Sequence, residues 1–168
     1  MARLDYVAPG TSKEADAVYA EVQRLGRPVL NLYAELGNQP RALAAFLSMS
    51  RYVRDDSSLE PGLRELLILE TARELRQDYE VAHHTEAARR AGVPEEKLEG
   101  RGLTDREACA VAYAHEAAAT RTCSDATFAR MRELFSTEEI VDLVVTAAWY
   151  HLCAVILGSL QVELERTS

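Results

Sequence analysis

The stretch from Leu63 to Gly92, LRELLILETARELRQDYEVAHHTEAARRAG, constrains this chain more than any other. Leu63, Leu66, Leu67, Leu69, Ala72 and Leu75 recur mostly at three- and four-residue steps, which predicts a helix with one wide buried stripe. Glu65 stands inside that apolar run. Burying an unpaired carboxylate is expensive, so Glu65 is either a rim residue or a functional one. Gln77 and Asp78 break the pattern; Asp78 is placed to cap a second helix from about Tyr79, and Gly92 and Pro94 end it. Glu80 then falls in the first turn, where the helix dipole favours negative charge, and His84 shares its face four residues on. His83 points about 100° away and reads as a surface or interface residue.

Outside this stretch the helical pattern continues. Gly and Pro number only 8 and 5 in 168 residues, while Ala, Leu, Glu and Arg abound, so the chain reads as all-α. With 48% hydrophobic residues it can bury one core, and a single domain over 1–168 is expected, a bundle of roughly seven to nine helices. Thr11 or Ser12 caps a helix carrying Ala15, Val18, Tyr19, Val22 and Leu25 on one face. A short helix follows at Val29–Leu36. Pro40 opens one that buries Leu43, Phe46, Leu47 and Val53, a polar loop spans Asp55–Ser58, and Pro61 opens the helix of Glu65. After an acidic turn at Glu95–Glu99, Thr104 and Glu107 form a capping box. Ser124 and Asp125 cap a helix that turns Phe128, Met131, Leu134 and Phe135 inward, and the last helix runs from Thr137 to Leu164.

Leu143–Leu160 is long and apolar enough to suggest a membrane span. Asp142 and Glu163 flank it, His151 interrupts it, and neither end is basic, so it is read instead as the central core helix or as one buried between subunits. A net charge of −8 without a basic stripe excludes nucleic acid and anionic membrane as partners. No signal-peptide pattern opens the chain, and a cytoplasmic location is expected. Cys109, Cys123 and Cys153 are widely spaced without a Cys-x-x-Cys pair, as suits reduced structural thiols. Glu80 and His83 form a Glu-x-x-His, but His115 and His151 each lack a glutamate three residues before them. No metal is therefore expected, a single site on Glu80 and His84 being the lesser alternative.

The segments RYVRDDSSLEPGLRELLIL and YEVAHHTEAARRAGV, with TDREACAVAYAHE and SDATFARMRELFSTEEIVDLVVTAAWYHL after them, resemble the carboxymuconolactone decarboxylase family, which includes the AhpD-like alkylhydroperoxidases. The resemblance implies an all-helical homo-oligomer, a trimer or hexamer. In the thiol-using members a glutamate lies one helix before a Cys-x-x-Cys pair, and a histidine follows the second cysteine by four residues. On this chain the glutamate falls on Glu65, the cysteines on Gln77 and Glu80, a polar relay position on Tyr79, and the histidine on His84. Peroxide reduction needs a thiolate and a resolving thiol, so the missing pair disfavours an alkylhydroperoxidase.

The decarboxylase side of the family remains: a cofactor-free carboxy-lyase acting on a small carboxylated lactone or related organic acid. In that scheme His84 donates the proton, Glu80 orients or charges it, Tyr79 hydrogen-bonds the substrate and Glu65 is a second relay. Arg64 or Arg51 clamps a carboxylate, and Gln77 and His151 join the substrate-binding set. The competing reading is a non-catalytic helical binding or scaffold protein in which Glu80 and His84 are only a stabilising pair. An enclosed polar pocket around His84 favours the enzyme, and a filled one the scaffold.

Overall fold

Helix starts fall where the sequence supplies a cap or a proline. Ser12, Thr104 and Ser124 each accept a backbone N–H in the first turn of their helix, Thr104 in a complete capping box, and Pro40 and Pro61 occupy first-turn positions where their missing N–H costs nothing. The computed structural model describes residues 1–165. Among these are nine α-helices and no strand: α1 Lys13–Arg24, α2 Asn31–Leu36, α3 Pro40–Arg51, α4 Pro61–Glu74, α5 Asp78–Arg90, α6 Glu95–Leu98, α7 Asp105–Thr120, α8 Asp125–Leu134 and α9 Thr137–Leu160. Of the expected polar loop Asp55–Ser58, Asp55 and Asp56 instead belong to a π-helical turn, Tyr52–Asp56, anchored by fully buried Val53, and Ser57 and Ser58 lie outside any helix. α5 begins at Asp78 with Gln77 as its cap residue, so Asp78 serves the helix dipole from the first turn rather than as the cap.

The described residues divide into two compact units, residues 1–55 with residues 156–165, and residues 56–155. In the first, α1 and α2 pack on α3, and Tyr19 donates its hydroxyl to the Val7 carbonyl at 2.9 Å. Leu25, expected on the buried face of α1, is exposed, because the helix ends at Arg24 and Leu25 is its C-terminal cap. Arg51 closes α3 in this unit and is exposed.

In the second unit α4 is the central element. Leu63 and Leu67 face α7, α8 and α9 in a cluster with Ala110, Met131 and Leu143, while Leu66 and Leu69 face α5 and α6 with Ala88 and Leu98. With two apolar faces occupied, Glu65 takes a third direction, and the expected single stripe becomes a helix buried almost all round. The central place in the core, one of the two readings of the last helix, thus belongs to α4. α9 buries Leu143, Ala147, Tyr150 and Cys153 but exposes Val141, Val144, Leu152 and Val155, and it ends at Leu160 rather than Leu164. By length and composition it is apolar enough to cross a membrane. Its Asp142, however, is buried and accepts hydrogen bonds from Ser58 N at 2.7 Å and Ser58 Oγ at 2.6 Å. Phe128 in α8 is exposed, one turn before fully buried Met131, so α8 inserts only its C-terminal half. Because Leu67 is fully buried where four helices meet, Leu67→Ala is expected to cost about 2–5 kcal/mol in a urea melt. A loss under about 0.5 kcal/mol, the level of ordinary surface substitutions, would remove α4 from the centre of the core.

Candidate active site

A tight reversal joins α4 to α5. Arg76 adopts a left-handed conformation (φ 54°), and Gln77 N returns to the Ala72 carbonyl at 2.9 Å, so the two helices run back along each other as a hairpin. The Gln77 side chain donates to the Ala154 carbonyl at 3.2 Å and ties the start of α5 to α9. Three helices thereby converge on one buried imidazole. His84 Nδ1 lies 2.6 Å from Glu65 Oε2 of α4, and His84 Nε2 lies 2.9 Å from the Tyr150 hydroxyl of α9 and 3.4 Å from Glu80 Oε2 one turn earlier on α5. The Tyr150 ring meets the imidazole edge to face, centroids 4.9 Å apart.

None of Glu65, Glu80, His84 or Tyr150 is more than 6% exposed. Burial by itself pushes the His84 pKa down, but hydrogen bonds and charge from Glu65 and Glu80 outweigh it and hold the imidazole above its ordinary value. In the doubly protonated ring Nδ1–H donates to Glu65, and Nε2–H is shared between the Tyr150 oxygen and Glu80.

Cys153 completes the cluster and was not legible as part of it in the sequence, where it reads as a structural thiol. It follows Tyr150 by three residues on the same face of α9, is buried, and donates to Glu80. Burial, reinforced by the Glu80 charge, pushes its pKa well above the ordinary thiol value, so it is a protonated hydrogen-bond donor and not a thiolate. Cys109 and Cys123 are also raised by burial.

Among the other expected site residues, Tyr79 is buried and its ring packs on His83 with centroids 4.6 Å apart, while the phenol hydroxyl 2.9 Å from His84 Nε2 is that of Tyr150. Arg64 Nε lies 3.9 Å from Glu65 Oε1 and is buried without a hydrogen-bond partner among the described residues. Arg51 belongs to the first unit. Gln77 and His151 line a cavity of about 570 Å³ whose walls come from α7, α9 and the α4–α5 turn, and whose lining includes none of Glu65, Glu80, His84 or Tyr150. Among the described residues, no three of His, Cys, Asp and Glu are arranged to hold a metal ion.

Residues 40–121 match the carboxymuconolactone decarboxylase family. No curated protein matches the chain. Among solved structures, an uncharacterized peroxidase-related protein from Silicibacter sp. TM1040 is 19% identical with a TM-score of 0.83, covering 98% of this chain and 92% of that one. The alkylhydroperoxidase AhpD core of an uncharacterized peroxidase-related protein from Ralstonia eutropha JMP134 is 18% identical with a TM-score of 0.80, over 98% and 92% of the two chains. A variant of the debrominase Bmp8 in complex with 2,3,4-tribromopyrrole is 15% identical with a TM-score of 0.80, over 98% and 94%. At these identities the likeness is one of fold. The match to the carboxymuconolactone decarboxylase family thus covers residues 40–121, a little under half of the chain, while the fold over its whole length is that of the AhpD-like structures, and the sequence has no Cys-x-x-Cys pair.

Proposed function

We propose that the chain is a cofactor-free acid/base enzyme of the decarboxylase type, acting on a small carboxylated lactone or related organic acid. The observation that carries this reading is His84 held between Glu65 and Glu80, whose hydrogen bonds and charge outweigh burial and raise its pKa above the ordinary imidazole value, which keeps the ring protonated. An imidazolium stabilised in a dry site is a proton source at neutral pH.

In the reaction, the bond from the substrate carbon to its carboxylate breaks and CO2 leaves. The electron pair passes into an adjacent carbonyl as a dienolate, and His84 Nε2–H delivers the proton to carbon. The Tyr150 hydroxyl, 2.9 Å from Nε2, donates to the developing oxyanion, while Glu65 keeps Nδ1 and the ring plane fixed. Glu80 returns a solvent proton to Nε2. Arg64, whose Nε makes no hydrogen bond among the described residues, orients the substrate carboxylate.

A thiol-based peroxidase is less well supported. It needs a thiolate, and burial holds all three cysteine thiols above their ordinary pKa. The test is incubation of the purified protein with a panel of small carboxylated lactones and β-keto acids in D2O. CO2 release with deuterium at the carbon that lost the carboxylate is expected. Release no faster than from the boiled protein across the panel would contradict the reading.

A further inference from the structure

We propose that the 570 Å³ cavity bounded by α7, α9 and the α4–α5 turn is a separate binding site for a small cyclic acid that carries a hydroxyl group away from its carboxylate. The volume lies within the range of small-molecule pockets. Ala117, Ala148 and Val155 contribute to an apolar wall suited to a ring.

Two polar groups define the ends of the ligand. His151 Nδ1 lies 2.8 Å from the Ala147 carbonyl, which can only accept, so Nδ1 carries a proton and, in the neutral ring, Nε2 presents a lone pair. That Nε2 is buried and has no hydrogen-bond partner among the described residues. A buried acceptor left unpaired is costly, and a ligand hydroxyl satisfies it. Arg121 supplies the other end. It caps α7 in a left-handed conformation (φ 64°), lines the cavity, is exposed, and makes no ion pair among the described residues. On a chain of net charge −8 an unpaired guanidinium at a cavity rim is a local attractor for a carboxylate. Gln77, fixed by its bond to the Ala154 carbonyl, stiffens the wall between them.

The site is independent of the His84 reading, because none of the cluster residues lines it. Either assignment can fail alone.

The experiment is calorimetric titration of the full chain with 4-hydroxybenzoate, benzoate and phenol. Saturable 1:1 binding of 4-hydroxybenzoate is expected, weakened roughly tenfold or more in the surface variant Arg121→Gln. Native protein should prefer 4-hydroxybenzoate to benzoate several-fold, a preference absent in His151→Phe. NMR on the native protein covers the case in which that variant does not fold, since the ligand should move the His151 ring signals and leave those of His84 in place. Failure to bind, binding unchanged in Arg121→Gln, or ligand-induced shifts at His84 instead of His151 would overturn the proposal.

Discussion

His84→Gln is expected to lower turnover in the CO2-release assay by about 10²–10⁴-fold, the range supplied by a positioned general acid. Glutamine retains volume and a hydrogen bond to Glu65 but has no titratable proton to give. Glu80→Gln should reduce turnover less, because Glu65 still charges the ring through Nδ1 at 2.6 Å while the Glu80 contact is 3.4 Å. Circular dichroism separates lost chemistry from lost fold. Turnover in His84→Gln within about threefold of native would remove the imidazole from the reaction, since that is far below a general acid's contribution.

The second large effect is on stability. Glu65→Ala leaves a buried imidazolium without its closest counter-charge, and breaking a buried pair from one side costs about 3–5 kcal/mol. The cost depends on pH in a direction set by His84. Its folded pKa is raised, whereas in the unfolded chain it titrates near ~6.5. Below that value the ring is protonated in both states and the stabilisation is fully present. As pH climbs from there through the folded pKa, the native ring loses its proton and the stabilisation is lost. The gap in unfolding free energy between the native protein and Glu65→Ala, from urea melts, should therefore be wider at pH 6 than at pH 9. A gap that widened with pH would mean that the folded protein binds fewer protons than the unfolded chain, so that the imidazole is held neutral.

The parts of this architecture governed by short-range rules were readable before any coordinates. Caps at Ser12, Thr104 and Ser124 and prolines at 40 and 61 mark helix starts because each satisfies or tolerates orphan N–H groups locally. The register of Glu80 with His84 follows from four-residue spacing on one helix. Spacing says nothing across helices. The approach of Glu65 to His84 depends on the left-handed turn at Arg76, a conformation that residue type alone does not announce.

Tyr150 and Cys153 lie 66 and 73 positions from the groups they meet, His84 and Glu80. In an apolar helix a tyrosine and a cysteine read as core, and core they are. The local signal was that both carry polar hydrogens on the same face three residues apart, and buried polar hydrogens seek partners. The roles of α4 and α9 were exchanged for a related reason. Mean hydropathy favours α9, but α4 sits between two apolar clusters and so buries more of its circumference despite carrying Glu65.

The most direct measurement is an NMR titration of the His84 ring, assigned by comparison with His84→Gln. A midpoint above the ordinary imidazole value of ~6.5, falling when Glu65 or Glu80 is replaced by glutamine, is what a cation clamped between two carboxylates requires. A midpoint at or below that value, unmoved by either replacement, would mean that burial dominates and that the centre of the second unit holds a neutral packing histidine.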